Sequence, residues 1–133
     1  MNKLTQYGHP FQTKALAALV TDRDFLQQSS DIVSPDYFDS DASKWIVRKT
    51  LTYFNEYHTT PTMEVFKVEV EGIQNEVQAV AVKEQLKETY KSSQVKDLEY
   101  IKNTFLDFCK NQTLKNALIR SVDLLELGDY DDI

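Results

Sequence analysis

From Val95 to Leu127 the chain runs without a proline, a glycine or a cluster of turn residues, and this stretch constrains the fold more than any other. Apolar residues recur along it at Leu98, Ile101, Phe105, Phe108, Leu114, Leu118, Val122 and Leu125, at helical spacing. The pattern predicts one long helix, or two nearly collinear helices joined near Asn111, stopped by Gly128-Asp129. About 31 helical residues at 1.5 Å rise span roughly 46 Å. A compact chain of this size has a radius of gyration near ~14 Å and a diameter of roughly 36 Å. Such a helix overhangs its own globule, and an apolar stripe of Leu114, Leu118, Val122 and Leu125 on the overhang calls for a partner to cover it. The alternative is a bend at Asn111-Gln112 that packs the second half back on the same domain.

Helices are favoured throughout. Three glycines and three prolines among 133 residues are too few for the turns of a β-sandwich, and 41% apolar residues with seven Phe, seven Tyr and one Trp suffice for one core. The net charge of -6 sets an average field that repels a phosphate backbone. The single cysteine, Cys109, excludes an intramolecular disulfide, suits a reducing cytosol and reads as core filler on an apolar helix face. The opening MNKLTQYGHP lacks the apolar stretch of a signal peptide, and no run of about 18 apolar residues occurs. A soluble, cytoplasmic protein is expected.

Residues 1–9 read as a polar tail and Pro10 as a helix start. A globular subdomain is then expected over residues 10–94, the long helix over 95–127 and a turn over 128–133. Within the globule, Phe11 to Val20 predicts a short buried helix, and Thr21-Asp22 caps a second through Phe25 and Leu26. Pro35-Asp36-Tyr37-Phe38 turns two aromatics inward, and Asp39-Ser40-Asp41 offers acceptors to the amides of a third helix, about Ala42 to Tyr57. That helix carries Trp45, Ile46, Lys49, Tyr53, Phe54 and Tyr57 on one side. Met63 to Glu71 alternates like a strand at Phe66, Val68 and Val70, but a lone strand would have no partner, so a helix is predicted. After Gly72, Asn75 caps a helix from Glu76 to about Tyr90 bearing Val77, Val80, Ala81, Leu86 and Tyr90.

Catalytic patterns are not evident. There is no GxxxxGKS/T phosphate loop, so ATP hydrolysis is not expected of this chain. His9 and His58 lack partners at metal-ligand spacing, and Asp129-Tyr130-Asp131-Asp132 lacks the glycine and late glutamate of a calcium loop. Asp36, Asp39 and Asp41 crowd a helix start, where capping explains them. One Cys, two His and ordinary Ser residues do not assemble a nucleophile, base and orienting acid. No cofactor, metal or catalytic residue is predicted.

Read in order, HPFQTKALAALVTDRDFLQQSSDIVSPDYFDSDASKWIVRKTLTYFNEYHTTPTMEVFKVEVEG resembles the opening of the DnaB-like replicative DNA helicases, most nearly those of tailed phages. The family's features are matched by Ala15 to Val20, by Phe25 and Leu26, by the aromatic pair Tyr37 and Phe38, by the helix Trp45 to Tyr57, and by Pro61. Asn55-Glu56-Tyr57-His58 followed by Pro61 is the most specific piece. DLEYIKNTFLDFCKNQTLKNALIRSVDLLELGDYDDI is similar to the segment leading into the first arm of the family's helical hairpin.

The resemblance covers about Pro10 to Ile133 and implies a six-helix N-terminal domain. Its hairpins pair between subunits to form a collar on a hexameric ring, where primase or a helicase loader docks. It also implies an ATPase in a separate RecA-like domain and a second hairpin arm after Asp131-Asp132-Ile133, so the chain is expected to be a piece of a longer protein. The expected interface is Phe105, Phe108, Leu114, Leu118, Val122 and Leu125, acting in self-association. An unrelated helical adaptor of phage or bacterial origin shares the composition and the overhanging helix. A nucleic-acid-binding domain using Lys83, Lys87, Lys91, Lys96 and Lys102 is a further alternative, weakened by Glu84, Glu88, Asp97 and Glu99 lying between them.

Overall fold

A computed structural model describes residues 3–128. The described residues form six α-helices and no strand: α1 Gly8–Thr21, α2 Arg23–Ser29, α3 Asp41–Tyr57, α4 Met63–Glu71, α5 Glu76–Lys91 and α6 Leu98–Glu126. The fold is all-α, five shorter helices followed by one long one. None of these helices is long and apolar enough to cross a membrane.

Helix α1 is the axis of the core. Ala15 to Val20 are all buried, so this helix is covered on every side, as an apolar helix without a polar face must be. The small side chains of Ala15, Ala17 and Ala18 let α2, α3, α5 and α6 approach it closely. Caps fix where the surrounding helices begin. Asp22 accepts the Phe25 amide, Ser40 that of Ser43, Thr62 that of Val65 and Asn75 that of Gln78, each at 3.0–3.3 Å. Met63–Glu71 is a helix despite its alternating pattern, started by Thr62 and stopped at Gly72. Helix α3 ends at His58, whose left-handed φ of 60° turns the chain and whose carbonyl accepts from Arg23 Nε at 2.8 Å.

Several expectations are corrected. The predicted tail over residues 1–9 contains a 3-10 turn, Leu4–Tyr7, with Leu4 fully buried and the Tyr7 ring stacked on Phe11 at 4.5 Å. Gly8 then takes a φ of +84°, open to glycine and strained for other residues, and α1 starts two residues before Pro10. Gln12 locks this turn in place, donating to Leu4 O at 3.4 Å and to Asp39 Oδ2 at 2.8 Å while accepting the Asp39 amide. Asp39 therefore ties the N-terminal turn to the α3 entry, and Ser40 does the capping.

The buried face of α5 is Val82, Gln85, Leu86 and Thr89, not the predicted Val77, Val80 and Ala81, which are exposed. Gln85 and Thr89 are tolerated inside because Gln85 Nε2 donates to Thr89 Oγ1 at 3.1 Å and reaches Thr13 Oγ1 at 3.5 Å. On α3 the buried set is Ala42, Ser43, Trp45, Ile46, Val47, Thr50 and Phe54, and Tyr57 is exposed. The globule does not end at residue 94: α6 is part of it through Gln112, the last buried residue of the described chain.

Candidate interaction surface

The two halves of α6 meet different surroundings. From Leu98 to Gln112 the helix packs against α1 and α2, burying Ile101, Phe105, Phe108, Cys109 and Gln112. Phe105 is fully buried with its ring 6.0 Å from that of Phe25 and 5.9 Å from that of Phe38. Phe108 stands edge-on to Tyr37 at 5.2 Å. Phe105 and Phe108, expected at an intermolecular interface, are thus core residues of this chain, and the interface expectation is corrected for both. Burial pushes the Cys109 thiol up to about 12, which makes it inert packing.

An ion pair clamps the start of this packed half. Lys102 Nζ lies 2.5 Å from Asp22 Oδ2 and 3.2 Å from Glu99 Oε1. The Lys102 hydrogen bond, the largest influence, holds the Asp22 carboxyl below its usual range. Burial opposes the charge on Lys102, but its bonds to Asp22 and Glu99 prevail and its pKa is raised. Asp22 thereby joins the α1–α2 corner to α6 while also capping α2.

After Gln112 no described residue of α6 is buried. Residues 113–126 project from the globule over roughly 21 Å at 1.5 Å per residue. The helix is continuous through Asn111-Gln112, and the second half does not pack back. Leu114, Leu118, Val122 and Leu125 are 61%, 60%, 53% and 50% exposed. Ile119 and Leu127 are exposed too and were not predicted.

At about 100° per residue, Leu114, Leu118 and Leu125 fall within about 40° of one another, with Val122 on one flank and Leu124 on the other. By the same rule the core-facing Ile101, Phe105, Phe108 and Gln112 centre roughly 140° away round the axis. The helix thus has two apolar faces in succession, one turned into its own core and one turned away from it. Beyond the globule the core-facing side is continued by the exposed Ile119 together with the polar Asp123 and Glu126. The spacing that reveals the change of side is present in the sequence, where the expected interface groups Phe105 and Phe108 with Leu114, Leu118, Val122 and Leu125.

A groove between α3 and α4 is walled by Tyr53 and Tyr57, whose rings are tilted 42° to one another with centroids 4.6 Å apart, and another lies between α4 and α5. Among the described residues no group of three or more His, Cys, Asp or Glu is placed to hold a metal ion. The acidic segment Asp129 to Asp132 and the expected turn beyond Gly128 lie outside the described residues. No family model, curated protein or solved structure matches the chain.

Proposed function

We propose that this chain is the N-terminal collar and protein-interaction domain of a DnaB-like replicative DNA helicase, joining neighbouring subunits through the projecting half of α6 and offering a platform for primase or a helicase loader. The observation that carries it is the apolar stripe Leu114, Leu118, Val122 and Leu125 on a helix that has left its globule and faces away from its own core. Six α-helices with the last projecting as an arm are what the resemblance implies for such a domain.

The energetics favour a covered stripe. Burying an apolar side chain of this size yields about 1.5–3 kcal/mol, and with half of each already shielded by its helical neighbours roughly half of that remains. Four such residues oppose an association entropy of several kcal/mol, so a contact of micromolar strength or weaker follows. A free helical extension of this length is also marginal in water, although continuity with the packed half removes the nucleation cost.

Sedimentation of the chain, with and without Leu118→Asp, tests the surface, and co-purification with an ATPase domain encoded downstream tests the helicase assignment. Association lost in Leu118→Asp together with a downstream phosphate-loop domain is the expected pair of results. Association without such a domain would favour a free-standing helical adaptor instead.

A further inference from the structure

Three lysines converge on the groove between α4 and α5. Its floor is Met63, Val70 and Leu86, its volume is about 550 Å³, and Lys67, Lys83 and Lys87 stand round it with Glu71 as the one lining carboxylate. In a chain of net charge -6 this is a local reversal of sign. Lys67 makes only a solvent-exposed pair with Glu64 at 3.5 Å, and neither Lys83 nor Lys87 pairs with a carboxylate among the described residues. The three ammonium groups are therefore available to an incoming anion, while their methylene stems extend the apolar walls.

Two ligand chemistries meet such a rim, and the floor decides between them. A nucleic-acid strand binds through phosphates and stacks its bases on aromatic rings. No aromatic side chain lines this groove, so it offers bases nothing to stack on. An amphipathic helix instead seats leucine-type side chains in an apolar trough at i, i+3, i+4 and i+7, with flanking carboxylates left to meet the lysines.

We infer that the α4–α5 groove is a docking site for an acidic amphipathic helix of a partner protein, seated on Met63, Val70 and Leu86 and held at its flanks by Lys67, Lys83 and Lys87. The site uses neither the α6 stripe nor self-association, so it stands apart from the collar assignment.

The test is titration of the Leu118→Asp chain, in which the α6 stripe is blocked, with a synthetic peptide of about 16 residues carrying leucines at i, i+3, i+4 and i+7 flanked by glutamates. Fluorescence anisotropy gives affinity, and backbone amide shifts give location. Expected are one-to-one binding at about 10–300 µM, shifts confined to α4 and α5, and a loss of about tenfold in the Lys83→Glu/Lys87→Glu double variant. Lys110→Glu on α6 leaves binding unchanged, and a peptide with lysines in place of glutamates binds about tenfold more weakly. Absent binding, equal binding of both peptides, or shifts elsewhere would overturn the inference. So would lysine-dependent binding of oligo-dT at the same groove, which would make it a nucleic-acid site.

Discussion

Phe105 and Leu118 stand on one helix and face different surroundings: Phe105 is fully buried between Phe25 and Phe38, while Leu118 points roughly 140° round the axis into water. The helix is a core element at one end and a docking element at the other, so substitutions at its two ends separate stability from association.

Phe105→Ala removes a fully buried ring and leaves a cavity beside Phe25 and Phe38, a loss of about 3–5 kcal/mol. Leu118→Ala in the dilute monomer changes stability by no more than about 0.5 kcal/mol. Urea unfolding followed by circular dichroism at low concentration checks both. A Leu118→Ala cost matching that of Phe105→Ala would mean that the second half of α6 packs on its own domain.

Asp22→Ala deletes the α2 cap and strips Lys102 of its closest partner, at a combined cost of about 1–3 kcal/mol. The same pair sets the acid limit. The Asp22 carboxyl is held below its ordinary 3.8 chiefly by the Lys102 hydrogen bond, and Asp39 is likewise lowered by hydrogen bonds from Thr5 and then Gln12. A depressed folded pKa contributes stability that is present above the unfolded value and is lost as pH falls through the folded one. Stability therefore falls below pH 3.8, and Asp22→Asn flattens that acid limb in melts collected across the range.

Cys109 is buried, with its thiol pushed up to about 12 by desolvation. Labelling by a thiol reagent at pH about 8 is accordingly slow in the folded chain, at the rate of unfolding, and immediate in denaturant. Rapid labelling of the native chain would show that the α1–α6 interface opens readily.

Amides of residues 113–126 lie on the half of α6 that buries no residue, and those of 101–112 on its packed half. Hydrogen exchange at low concentration is expected to be fast in the first set and slow in the second. Protection of 113–126 that appears as concentration rises locates the contact on the stripe.

Much of this fold was legible in the sequence because its signals are local. Asp22, Ser40, Thr62 and Asn75 cap helices where side-chain acceptors precede apolar runs, and Met63–Glu71 is helical because no second strand exists to pair with it. What was missed depends on contacts distant in sequence. Leu4 falls in a stretch that reads as a polar tail, and its place in the core is held by Gln12, which bonds both the Leu4 carbonyl and Asp39. Val77 and Val80 outranked Gln85 and Thr89 on apolar count, yet the polar pair lies inside because its members bond to each other and to Thr13. The overhang of α6 followed from length alone, whereas the assignment of Phe105 and Phe108 to the core required knowing which face of α6 meets α1.

Light scattering on the chain over about 10 to 500 µM, a range that brackets micromolar association, tests the projecting stripe most directly when paired with Leu118→Asp. The expected result is a mass that climbs from 15.4 kDa toward multiples of that value in the native chain, and stays at the monomer mass in Leu118→Asp with helicity unchanged. A native chain that remains monomeric throughout, or a Leu118→Asp variant that associates just as well, would show that α6 does not join one copy to another.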